Sequence, residues 1–112
     1  MDSELERTFD TYWRALDGPA LEKEYRFHPI RKFRFDRAHP GWKIAIELEG
    51  GTWTQGRHVR GDGFSRDCEK YNLAGLNGWT VFRFTSDMLA NDPARHLQPV
   101  IRLMSQTKCR VR

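Results

Sequence analysis

The chain has 112 residues, enough for one domain with a real core and too few for a second. Hydrophobic residues make up 38%, with four Trp, three Tyr and seven Phe, and this excludes a disordered chain. Lys and Arg outnumber Asp and Glu by 19 to 15 and the pI is near 9.4, a modest excess that suits a polyanionic partner without proving one.

In chain order, the first element is a helix predicted over residues 3–16. Leu5, Phe9, Tyr12, Trp13 and Leu16 fall at helical spacing, and Ser3 followed by Glu6 is a capping box. Asp17-Gly18-Pro19 ends it. Residues 24–30 and 31–37 read as extended, with Pro29 marking an edge or bend. Residues 42–49 form a central strand closed by Gly50-Gly51. A glycine-bearing loop follows, and residues 64–77 read as a helix with Phe64, Cys68 and Tyr71 on one face and Asn77-Gly78 as its stop. Residues 79–84 read as a strand. Asp92-Pro93 opens a last helix through Met104, with Pro99 inside it, and residues 105–112 are a basic tail. The short turn after residue 37 makes the first strands antiparallel. The crossover helix makes strands 42–49 and 79–84 parallel. The expected fold class is α/β: a mixed sheet flanked by helices in the order α-β-β-β-α-β-α, as a single domain with its core over about residues 3–104.

Three acids in the stretch 31–51 carry the chemistry. Period-2 geometry puts Ile44, Ile46 and Leu48 on one face of the central strand and Lys43, Ala45, Glu47 and Glu49 on the other. Glu47 and Glu49 therefore share a face, roughly 6–7 Å apart. Asp36 closes the preceding run, across a turn built on His39-Pro40-Gly41. Like charges gathered on a buried sheet repel and lose hydration unless something positive compensates them, and a divalent metal does so economically.

Bases surround these acids. Arg31, Lys32, Arg34 and Arg37 interleave with Phe33 and Phe35, and alternation sets Lys32, Arg34 and Asp36 on one face as a nucleic-acid surface beside the first acid. The loop after the strand adds Arg57, His58 and Arg60 between glycines, which suits phosphate, and Trp53 and His58 suit stacking on a base or sugar. His28 and His39 are assigned to structure, and Trp13, Trp42 and Trp79 to the core. Cys68 and Cys109 show no CxxC spacing; Cys68 reads as a small buried residue, and the chain as reduced and intracellular. No stretch approaches ~18 apolar residues and the charged start has no apolar h-region, so a cytoplasmic protein with no membrane contact is expected.

The order of elements, the spacing from Asp36 to Glu47 and Glu49, the glycine pair, Asp67 with Lys70, and Gly78-Trp79 before the strand 81-VFRF-84 together resemble the PD-(D/E)XK nuclease superfamily, the restriction-endonuclease-like fold. Small single-domain members related to very-short-patch repair endonucleases, and phage-borne homologues, are the more similar group. The resemblance spans residues 3–89. It implies a DNA endonuclease whose Asp36 and Glu47 bind Mg²⁺ (or Mn²⁺) with the backbone carbonyl of Leu48, leaving 5′-phosphate and 3′-hydroxyl ends, without an organic cofactor. The family's usual third-position lysine is here Glu49, which accepts a proton from the attacking water or ligates a second ion. The positive charge is then assigned to Lys70, against the alternative of a solvated Asp67–Lys70 helix pair. Glu6 is either a further acid near the metal, as the family often has on its first helix, or simply the capping-box partner of Ser3. With no separate recognition domain, nicking or structure-selective cleavage of branches, flaps, junctions or mismatches is expected, by a monomer or a homodimer. The competing class is a non-catalytic DNA-binding or assembly subunit on the same fold.

Overall fold

A computed structural model describes residues 2–50 and 62–106 of the chain, the Asp62 side chain apart. Helix α1 (Glu4–Ala15) opens on the capping box read from sequence. Ser3 Oγ accepts the Glu6 N–H at 3.1 Å, and Glu6 Oε1 accepts the Ser3 N–H at 2.7 Å. Strands β1 (Glu22–Arg26), β2 (Arg34–His39), β3 (Ile44–Glu49) and β4 (Thr80–Thr85) form one sheet in that order. The first two pairings are antiparallel and β3–β4 is parallel, with helix α2 (Asp62–Leu76) between them in sequence. Helices α3 (Ser86–Asn91) and α4 (Pro93–Gln106) follow. The mixed α/β architecture is as expected; α3 is additional. Six residues are too short to show a helical period, and α3 depends on its N-cap, where Thr85 Oγ1 accepts the Met88 N–H at 3.2 Å.

The sheet separates two apolar layers. On one face Phe9 and Trp13 of α1, Ile44 and Ile46 of β3, Phe84 of β4, Leu89 of α3 and Leu97, Val100 and Met104 of α4 form the larger cluster. On the other, Phe35, Ala38, Ala45, Trp79 and Ala74 of α2 pack with Tyr25, Phe27 and Val81. Ala38 and Ala45 are register partners, so this face is shallow where α2 meets it and the helix approaches closely. The helix ends as read from the sequence. Gly78 has φ 83°, its N–H donates to the Gly75 carbonyl at 3.1 Å, and the Trp79 N–H reaches the Ala74 carbonyl at 2.9 Å. Helix α4 continues through Pro99. Ser105 and Gln106 belong to it; the rest of the basic tail lies outside the described residues.

Several sequence expectations are corrected. Trp42 and Lys43 belong to the turn, and Lys43 has φ 53°, so β3 begins at Ile44 and Lys43 is not on the strand face with Glu47. Cys68 and Phe64 are exposed, because α2 turns Tyr71 and Ala74 toward the sheet instead. Strict alternation also fails over residues 31–37. Phe35 joins the α2-side cluster, yet Arg37, two residues on, is buried against α1. The reversal coincides with Glu24, which faces Asp36 by register and has φ 51°, a left-handed conformation that breaks the regular pleat of the β1–β2 ribbon.

Candidate functional site

The β2–β3 ladder sets the site. Its register runs from His39↔Ile44 to Arg37↔Ile46, which makes Asp36 and Glu47 the next opposed pair. There the backbone ladder gives way to side-chain bonds. Glu47 Oε2 accepts the Asp36 N–H at 2.9 Å, and Asp36 Oδ2 accepts the Leu48 N–H at 2.8 Å. Each carboxylate thus satisfies the neighbouring strand's amide, which fixes both acids at the point where the strands part.

Helix α2 completes one side. Ala74 packs on the sheet, and Lys70 lies one turn earlier on the same helix face. Glu47 lies two residues beyond Ala45 on the same strand face. Lys70 Nζ therefore meets Glu47 Oε1 at 2.5 Å, and the Tyr71 hydroxyl donates to that oxygen at 3.0 Å. Lys70 also sits 5.6 Å from the Phe35 ring centroid. Lys70 is directed at Glu47, not paired with Asp67. Glu49 has a different cation: Arg83 Nε donates to its Oε2 at 2.9 Å, with the guanidinium over the Tyr71 ring at 4.7 Å. Lys70, which the sequence reading named as the source of positive charge, thus lies against Glu47, and Arg83, which it did not name, lies against Glu49.

Burial drives the electrostatics. It pushes the Asp36 carboxyl above its ordinary range, opposed by the Leu48 N–H and Lys70 and reinforced by Glu6 and Glu24. Burial likewise raises Glu47, with Lys70 opposing and Asp36 adding to the rise. Burial and the Glu47 charge push the Tyr71 phenol far up, so it remains a donor at neutral pH.

On the other side of Asp36, one oxygen each from Glu6, Glu24 and Asp36 lie within 4.8 Å of one another. All-oxygen donors match a hard dication, whose ligands at ~2.1 Å sit up to ~4.2 Å apart across an octahedron. The cluster is therefore a candidate site for a divalent cation. Glu6 Oε1 caps α1 as the capping-box reading has it, and its Oε2 takes Arg37 Nη1 at 3.3 Å. Glu24 escaped the sequence reading, since a single acid in an edge strand gives no pattern. Glu47, read as the second ligand, has both oxygens engaged by Asp36 N–H, Lys70 and Tyr71. Leu48 meets Asp36 through its N–H.

Arg37 is corrected outright. Expected to face nucleic acid, its side chain is 1% exposed. It donates to Asp10 at 3.0 and 2.8 Å and to the Asp36 carbonyl at 2.7 Å. Burial pulls its pKa down, but Asp10, Glu6 and Asp2 outweigh that and raise it, so it stays charged. It braces the backbone of the first acid. Arg31 is half engaged, paired with Glu69 of α2. Lys32 and Arg34 are exposed. Trp53, Arg57, His58 and Arg60 lie outside the described residues. His28 and His39 accept backbone N–H groups at Nδ1 in their turns, consistent with structural parts.

No protein-family model matches the sequence, and no curated protein matches it. Among solved structures, the catalytic domain of homing endonuclease I-Bth0305I is similar, with a TM-score of 0.59 over 94% of this chain and 93% of that chain. Identity is 17%, so what the two share is the fold. Among the described residues no helix is long and apolar enough to cross a membrane.

Proposed function

We propose that the chain is a divalent-metal-dependent DNA endonuclease of the PD-(D/E)XK type, hydrolysing phosphodiester bonds by nicking or by structure-selective cleavage. The supporting observation is the pairing of Asp36 and Glu47 across the parting of β2 and β3, with Lys70 on one side and the Glu6–Glu24–Asp36 oxygens on the other. The fold it shares with a homing endonuclease catalytic domain is consistent with this.

Asp36, with Glu6 and Glu24, is the proposed holder of Mg²⁺. When bound, the ion supplies polarisation of the phosphate and a more acidic water. Lys70 is the cation that meets charge developing on a phosphate oxygen, and Tyr71 and Lys70 together fix the orientation of Glu47. Glu49, held by Arg83, is the acceptor for the proton of the attacking water. Water adds to phosphorus, the bond to the 3′-oxygen breaks, that oxygen takes a proton from solvent water, and 5′-phosphate and 3′-hydroxyl ends result. Exposed Arg34, on the strand that carries Asp36, and exposed Lys32, just before that strand, are the proposed phosphate contacts.

A panel of paired duplex, flap, four-way junction and supercoiled plasmid, each with Mg²⁺ or Mn²⁺, tests the reading. Wild type should cut at least one, and Asp36→Asn none. If no substrate is cut while salt-sensitive DNA binding persists without divalent ions, the non-catalytic subunit is the better account.

A further inference from the structure

The connection between β1 and β2 holds an apolar side chain that neither the core nor the acidic site uses. Ile30 is 80% exposed and stands six positions before Asp36. The segment around it is braced. His28 Nδ1 accepts the N–H of Ile30 at 3.2 Å and of Arg31 at 2.9 Å. Phe27 stacks on Phe35 with ring centroids 4.2 Å apart and planes at 11°. Arg31 lies over the Phe33 ring at 4.8 Å and pairs with Glu69 of α2. A side chain presented on a preorganised turn loses little further freedom on binding.

Cations flank it. Arg26 and Arg34 are exposed and directly opposed in the β1–β2 register, and Lys32 is exposed on the turn. Like charges opposite one another on neighbouring strands repel. The counter-charge at this pair is Glu24, 3.7 Å from Arg34. A polyanion laid along the ribbon relieves the repulsion.

We propose that this turn is a DNA-deforming wedge: Arg26, Lys32 and Arg34 hold phosphates while Ile30 enters between base pairs and unstacks one step. The proposal rests on the DNA-endonuclease reading and adds how the duplex is distorted. Apolar wedges flanked by bases kink duplexes in this way, most readily at flexible or already unstacked steps. The six-residue span to Asp36 covers at most about 20 Å at ~3.3 Å per residue. At ~3.4 Å per base pair, the unstacked step lies within about six base pairs of the cut.

The test uses duplexes carrying 2-aminopurine at successive positions near the cut, with Ca²⁺ replacing Mg²⁺ during binding. Wild type should brighten the probe at one step. Ile30→Ala should abolish the signal, weaken binding less than about threefold, and slow cleavage of paired duplex about tenfold or more. Cleavage of a duplex with a bulge already at that step should survive the substitution, which a merely structural loss would not allow. Equal brightening by Ile30→Ala, or equal losses on paired and bulged DNA, overturns the wedge while leaving the nuclease reading intact. If wild type neither binds nor cuts DNA, the nuclease reading falls and the wedge with it.

Discussion

Arg37→Ala should be among the most damaging single changes in the protein, and through stability, not DNA contact. The guanidinium makes two bonds to Asp10, at 3.0 and 2.8 Å, one to the Asp36 carbonyl at 2.7 Å, and a weaker one to Glu6 at 3.3 Å. Removing one partner of a buried ion pair costs about 3–5 kcal/mol, because the remaining charge loses its compensation. The Asp10 and Glu6 side chains keep 24% and 14% exposure, so they rehydrate in part and the lower end applies. A loss of about 3 kcal/mol in a chain of this size lowers Tm by roughly 12 °C or more. The control is Arg34→Ala: that side chain is 57% exposed with one contact at 3.7 Å, and its loss should stay within ~0.5 kcal/mol. Urea and thermal melts followed by circular dichroism measure both. If Arg37→Ala melts with Arg34→Ala yet loses DNA binding, the buried-brace account is wrong and the original nucleic-acid reading of Arg37 stands.

Other outcomes follow from the same geometry. Asp36 has its carboxyl raised by burial, so its ionisation costs the folded state stability above the ordinary carboxylate pKa; that cost disappears as pH falls and the group protonates. Asp36→Asn should therefore melt higher than wild type at pH 7 without metal, with the gain lost in acid. Mg²⁺ at 100 times its Kd should stabilise wild type by about 2.7 kcal/mol and leave Asp36→Asn unmoved. A double-mutant cycle between Lys70→Met and Glu47→Gln should give a coupling of about 1 kcal/mol or more, whereas a value near zero would return Lys70 to a solvated helix pair. Gly18→Ala should cost about 1–3 kcal/mol and shift tryptophan emission, since a Cβ there meets the Trp13 ring at 2.4 Å; an unchanged spectrum and melt would contradict that close approach.

The parts of the fold written as local patterns were legible. The capping box, the Asn77-Gly78 stop, the apolar alternation of β3 and the crossover to β4 each have a sequence signature, and the sheet order followed from them. Asp36, Glu47 and Lys70 come together as that reading required. What it missed depends on tertiary context. The side chain of Arg37 goes to α1 because the β1–β2 ribbon reverses at Glu24, and nothing in the alternation announces a positive φ at a glutamate. The inward face of α2 is marked by Ala74 and the polar pair Lys70–Tyr71, so its apolar periodicity suggested Phe64 and Cys68 instead. Arg83 answers Glu49 from a strand 34 residues away, a partnership set by the parallel register.

The most direct measurement is nicking of supercoiled plasmid by wild type and Asp36→Asn in Mg²⁺, with EDTA added to a parallel reaction. Wild type should convert supercoiled to open-circular DNA, EDTA should stop it, and folded Asp36→Asn should leave the plasmid intact. Plasmid untouched by wild type, or cut equally fast by Asp36→Asn, would contradict the assignment of these acids as a metal-dependent nuclease site.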